Sequence, residues 1–238
     1  MASNWNSNSC RVDTTTEKRN KMGTRGLTVV IEGGEFRIAQ YGQWDHYPGG
    51  QGITVLEFCR EHMTKSEDVD RFRRNVKAVR WLTEEDTTKV YEELGIDGDA
   101  PFISMEDSGR IDSLLPYITR DHGAGILDLV LNHPEPRSEG KVELVLQDSR
   151  EFIKDSLFCE WAYVLDLDHM QLEVYKGFNE KPVPQGQRFS EMESEKPAHR
   201  SKQYYPCVEA GLWKFDDLPS DEGFVQVLDS SDEEDEED

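Results

Sequence analysis

Leu27-Thr28-Val29-Val30-Ile31-Glu32-Gly33-Gly34-Glu35-Phe36-Arg37-Ile38-Ala39-Gln40-Tyr41 is the stretch that decides the fold. A β-branched run, Leu27 to Ile31, meets a turn carrying two glycines and returns as Phe36 to Tyr41. On the return, Phe36, Ile38 and Gln40 share one face, and Arg37, Ala39 and Tyr41 share the other. That is the two-residue period of a strand. Adjacent glycines between two such runs are the residues that a tight hairpin turn demands. Residues 27–41 therefore read as a β-hairpin.

Beyond the hairpin, Gly42 to Gly52 (GQWDHYPGGQG) reads as a loop of glycines, one proline and several rings. Ile53 to Met63 has helical spacing, with Leu56, Cys59 and Met63 on one side. Ser66 is placed to N-cap a second helix, with Glu67 and Asp68 at its positive end. Val69, Phe72, Val76 and Val79 then repeat at three and four residues. Thr83 is expected to begin a third helix and Gly95 to end it. A fourth helical stretch spans Asp112 to Leu131, broken near Pro116 and near Gly123-Ala124-Gly125. Strands return at Val142–Leu146, Phe158–Leu167 and Leu172–Tyr175, and 179–202 reads as a long polar loop. Hairpin, helices, then antiparallel strands make the class α+β, a layered sheet-and-helix domain, and not alternating βαβ.

Composition bounds the function. The 238 residues carry 49 acids and 27 bases, a formal net charge of −22. Twelve of the acids lie in 216–238, and the other 37 leave residues 1–215 at −10. An acidic surface speaks against nucleic acid and against an anionic membrane surface. No apolar run approaches the ~18 residues of a membrane helix. Cys10, Cys59, Cys159 and Cys207 form no C-x-x-C, so free thiols in a cytoplasmic or nuclear setting are expected. No His pair has metal-ligand spacing, and no metal or cofactor is expected. Phosphate-cradling, dinucleotide, nucleophile-elbow and H-E-x-x-H motifs are all missing.

The expected organisation is a polar N-terminal extension over 1–21, one α+β domain over 22–215 and an acidic tail over 216–238. Both ends are expected to be disordered, the tail because its charges repel one another. Ser230 and Ser231 each have a glutamate three residues on, Glu233 and Glu234, the pattern that acidophilic kinases phosphorylate. The tail is also a candidate contact for a basic protein.

Met22-Gly23-Thr24-Arg25-Gly26 and Ala39-Gln40-Tyr41-Gly42-Gln43-Trp44-Asp45-His46-Tyr47-Pro48-Gly49-Gly50-Gln51-Gly52 resemble the start and signature of a family of uncharacterised bacterial, phage and fungal proteins. That family carries M-G-T-R followed by A-Q-Y-G-Q-W-D-G-Y-P-x-G-Q-G. His46 stands where the family pattern has Gly. Tyr117 to Ala124 resembles a second family element, and Phe158 to Phe178 its closing hairpin. The resemblance implies a shared fold and site over about 22–178, and that 1–21 and the acidic tail are additions.

The resemblance raises the Gln40–Gly52 loop to a candidate site for a small polar ligand or a peptide terminus. Gln40, Tyr41, Gln43, Trp44 and Tyr47 would supply polar and ring contacts, and Gly49 and Gly50 would allow close backbone approach. Arg25 and Arg120, with Asp121 beside the latter, are candidates to clamp a carboxylate or phosphate. Equally, Trp44, Tyr47 and Pro48 could pack under the sheet, with Asp45 capping a turn. An enzyme alternative is an N-terminal-nucleophile-like amide hydrolase. Cleavage before Thr24 would free an amine to act as base for its own hydroxyl, with Asp45 nearby. A third alternative is a structural interaction protein recruited through its acidic tail.

Overall fold

The computed structural model describes residues 23–98, 100, 102–134, 143–193 and 202–230. The hairpin forms as expected: β1 (Gly26–Glu32) pairs antiparallel with β2 (Glu35–Gly42). Gly33 and Gly34 both take positive φ, 67° and 70°, which the two central positions of the hairpin turn require. The chain then passes through α1 (Ile53–His62), α2 (Ser66–Lys77), β3 (Arg80–Trp81), α3 (Glu84–Leu94), α4 (Met105–Leu114) and α5 (Ile126–Leu131). A two-residue strand, β4 (Val145–Leu146), pairs parallel with β3. Then come β5 (Trp161–Asp166), β6 (Gln171–Lys176), β7 (Val208–Lys214) and α6 (Asp221–Ser230).

The main sheet has the order β2-β1-β5-β6-β7. Every pairing is antiparallel except β1 with β5, which is parallel and joins the two hairpins across about half the chain. Both strands at this seam are buried along their whole length, which is why β1 reads as a continuous apolar run rather than an alternation. Val30, Ile38, Tyr163, Leu165 and Val174 face a helical layer built from α1, α2, α5 and α6. Leu27, Val29, Ile31, Ala162, Val164 and Tyr175 face the other way. They are covered by Phe152, Ile153, Cys159, Phe189 and Cys207, which lie outside the main sheet and the six helices.

Local signals set the helix ends. Thr83 and Asp86 form a reciprocal capping box at α3, and Gly95 ends that helix with φ 66°. Ser104 caps α4 by accepting from the Asp107 N–H at 3.0 Å. Ser66 is the first helical residue of α2 rather than its cap, and its side chain makes no capping bond. Asn75 replaces an apolar residue on the buried face of α2. Its amide donates to the carbonyls of Val130, Leu131 and His133, closing the C-terminal end of α5.

Two readings are corrected. The fourth helical stretch is three pieces: α4, beginning seven residues before Asp112, a 3-10 turn over Arg120–Gly125, and α5. The acidic segment from 216 is not wholly unfolded, because α6 docks on the helical layer with Phe224 and Leu228 fully buried. That i,i+4 apolar pair outweighs the local acid content. Asp221 and Glu222 sit at the positive end of the helix, and Arg60 bonds Asp221 and the Pro219 carbonyl. The folded body therefore runs past Lys214 to at least Ser230. The expectations for 1–21 and for Ser231 and the acids after it fall outside the described residues. No helix among the described residues is long and apolar enough to cross a membrane.

Candidate functional site

The glycine-rich loop is knitted into the body. Thr24 O accepts the His46 N–H at 3.1 Å, Asp45 O accepts the Gln51 N–H at 2.7 Å, and Tyr47 O accepts the Gly50 N–H at 2.9 Å. Tyr163, fully buried in β5, donates its hydroxyl to His46 O at 2.7 Å. The positive φ of this loop falls at Asp45 (57°) and not at His46. His46 instead inserts its ring over Gly26 and Gly42, which face each other at the end of the β1–β2 ladder. A Cβ on Gly42 would stand 1.7 Å from His46 Cε1, and one on Gly26 would stand 2.6 Å from Cδ2. His46 Nδ1 lies 3.3 Å from Trp44 O, and Nε2 is buried with no partner among the described residues. Burial pushes the pKa of this imidazole down to about 4.

The other loop residues follow suit. Tyr47 packs on the helical core, and a Cβ on Gly50 would meet the Asp45 carbonyl at 2.3 Å. Gln51 Oε1 accepts the Ala124 N–H at 2.8 Å, tying the loop to the 3-10 turn. Gln43 is partly buried, Gly49 lies against the Tyr47 ring, and Trp44 is half exposed beside Gly23.

An open volume lies on the other side of β2. A cleft of about 970 Å³ runs between the end of β2, the α3–α4 pair and the residues that precede the 3-10 turn. Leu82, Val90, Ile111, Leu115 and Ile118 give it an apolar floor. Gln40, Tyr41, Arg120, Asp121, Asp112 and Gln147 supply polar groups along its walls. Phe102 and Ile103 stand exposed at its lip. Its volume lies at the upper end of the range of small-molecule pockets.

Gln40 is the pivotal wall residue. It is only 3% exposed, and its Nε2 donates to Tyr41 O and Thr119 O, both at 3.0 Å, while Oε1 has no partner among the described residues. Arg120 makes no ion pair among the described residues.

The structure thus divides the sequence candidates. Gln40, Tyr41, Arg120 and Asp121 come together in one cleft. Gln43, Trp44, Tyr47, Gly49 and Gly50 are not among its walls, and most of them serve the packing of the loop. Arg25 is engaged elsewhere, its guanidinium 5.0 Å from the Phe158 ring centre. Thr24 is 4% exposed and Asp45 points to solvent, and neither lines the cleft. Ser230 is the last residue of α6, where its hydroxyl donates to Val227 O at 2.9 Å. Sequence reading did not single out Leu82, Val90, Ile111 and Gln147. Helical spacing marks Val90 and Ile111 as inward-facing, but only the placement of the α3–α4 pair across the cleft from β2 leaves space above them.

The chain matches no protein family, no curated protein and no solved structure. The family resemblance therefore rests on the residues quoted above.

Elsewhere, Asp166 and Glu173 are buried carboxylates that share Arg188; Tyr175, Gln171 and the His169 backbone complete their hydrogen bonds. Burial opposes their ionisation, but these partners hold both carboxyls below their ordinary range. The set is saturated and joins β5, β6 and the Arg188 loop. Cys59, Cys159 and Cys207 are free and buried, and burial raises the first two thiols. Among the described residues no His, Cys, Asp and Glu group could hold a metal.

Proposed function

We propose that the chain is a binding module of the uncharacterised type that its signature resembles, and that its ligand sits in the cleft beside β2. The observation that carries this is Gln40. A nearly buried amide in the wall of a large cleft, with its carbonyl oxygen unpartnered, is costly unless something arrives to donate to it. Arg120, without an ion pair among the described residues, supports the same reading. The glycine-rich loop then acts as a brace: it holds β2 and the 3-10 turn together through His46 and Gln51, and so fixes the wall without lining it.

Free buried thiols fit a reducing cytoplasmic or nuclear setting, and the acidic surface fits a protein that avoids nucleic acid. A basic protein partner would be recruited by the run of acids in the sequence beyond Ser230, a role separate from the cleft.

The test is a fragment screen read by ligand-observed NMR and thermal shift, run on the wild type and on Thr87→Trp. Thr87 is a partly exposed α3 residue facing the cleft, so the indole fills space without touching the core. Hits that vanish in the variant support the cleft. Hits that persist unchanged place the ligand elsewhere and refute it.

A further inference from the structure

The orphan groups of the cleft are complementary to one chemical unit. Strand register gives the first. Arg25 O accepts the Glu160 N–H and Ile31 O accepts the Leu167 N–H, both at 3.0 Å, so the odd-numbered residues of β1 turn their backbone groups toward β5. Leu27 is one of them, and it stands opposite Tyr41. Leu27 and Tyr41 are therefore a pair that exchanges no hydrogen bonds, and the backbone groups of Tyr41 point outward from the sheet edge. Ala39, two residues earlier, confirms the direction: its carbonyl accepts the Ser149 N–H at 3.1 Å, away from β1. The outward carbonyl of Tyr41 is taken by Gln40 Nε2. Its outward N–H has no partner among the described residues.

Two unmet requirements and an unpaired cation thus lie together at the end of β2. Among the described residues the Tyr41 N–H lacks an acceptor and Gln40 Oε1 lacks a donor, and the exposed Arg120 lines the same cleft. The Gln40–Thr119 bond places Arg120 one residue from the Gln40 amide. Asp112 and Asp121 also line the cleft and disfavour a doubly charged anion such as a phosphate.

Resting on the cleft reading above, we propose that this site captures the C-terminal residue of a peptide with an apolar last side chain. That residue carries an amide N–H for Gln40 Oε1 and a single carboxylate for Arg120 and the Tyr41 N–H. Its side chain covers the Leu82, Val90, Ile111 and Leu115 floor. A fatty carboxylate offers the anion but no N–H. A free amino acid brings an ammonium group where one amide hydrogen is called for. Backbone capture of a carboxylate beside an edge strand is an established mode of peptide recognition.

The test uses the full chain and N-terminally labelled tetrapeptides ending in Leu, Val or Phe, each as free acid and as C-terminal amide, read by fluorescence anisotropy. At least one acid is expected to bind about tenfold or more tighter than its amide, the worth of one charged hydrogen bond. Arg120→Gln, a change at an exposed side chain, is expected to abolish that difference. Acid and amide binding equally, with both lost in Thr87→Trp, would overturn carboxylate capture and leave the cleft reading standing. Decanoate competing as strongly as the best peptide would overturn the peptide assignment in favour of a fatty carboxylate. No binding of any peptide below about 1 mM would overturn peptide capture. The cleft itself falls only if fragment hits persist unchanged in Thr87→Trp.

Discussion

Acidification should weaken this fold through one imidazole. The His46 ring is sealed over Gly26 and Gly42, with Nδ1 donating toward Trp44 O and Nε2 facing no acceptor. Protonation would place an N–H⁺ in the core with nothing to receive it. Its pKa is accordingly about 4 in the fold, against 6.5 when exposed. Because the folded value lies below the unfolded one, the unfolded chain takes up the proton first. Stability is therefore lost as pH falls through the window from 6.5 to 4, and is level on either side. At about 1.4 kcal/mol for each pH unit, the loss approaches ~3 kcal/mol, a large part of a typical total of about 5–15 kcal/mol. The assay is urea unfolding of the wild type and of His46→Gln at pH 7, 6, 5 and 4. Carboxylates such as Asp166, Asp168 and Glu173, held below their ordinary pKa, also lose stability in acid, but they titrate in both proteins and cancel in the difference. The wild type should lose about 3 kcal/mol more than the variant between pH 7 and 4. Parallel pH profiles would refute the reasoning.

Other substitutions probe other parts of the fold. Gly42→Ala should destabilise by about 1–3 kcal/mol through overpacking against His46, and pairing it with His46→Gly should recover part of the loss in denaturant melts. Leu228→Ala should cost about 2–5 kcal/mol; an unchanged melting curve would mean that α6 does not dock. Ser230→Glu places negative charge at the C-terminal end of α6. It should cost about 0.3–1 kcal/mol, with faster amide exchange in Val227–Ser230, and kinase-treated wild type should show the same pattern. Asp168→Ala removes the acceptor of the Gly33 and Gly34 N–H groups, at 2.8 and 2.7 Å, and should lower stability by about 1–3 kcal/mol.

Local structure was legible where a local cause sets it. Alternation and paired glycines gave the hairpin, i,i+3 and i,i+4 spacing gave α1 and α2, and Thr83 with Gly95 framed α3. The parallel β1–β5 seam was not legible, because nothing in either strand names a partner about half the chain away. The helix in the acidic segment was hidden because charge density masked a two-residue apolar pair, Phe224 and Leu228. The signature loop misled on the site for a related reason. Glycines that admit a ligand and glycines that admit a neighbouring ring are the same in sequence, and here Gly26 and Gly42 admit His46. The Arg120 region, named in sequence beside Gln40 and Tyr41, lies with them along one cleft, but the α3–α4 wall opposite them depends on tertiary packing alone.

The Asp168 carboxylate on the Gly33–Gly34 turn ties together residues 135 positions apart, and so does the β1–β5 register. On a ribosome adding about 5–20 residues each second, the free edge of β1 waits roughly 7–27 s for its partner. During that wait Leu27 to Ile31 is an apolar, β-branched, uncharged template open to any other strand. The seam that makes the finished sheet continuous is thus the step at which newly made chains are most exposed to chaperones and to one another. Asp168, the clamp on the turn, follows the end of β5 by two residues, so it reaches Gly33 and Gly34 as soon as the seam can form.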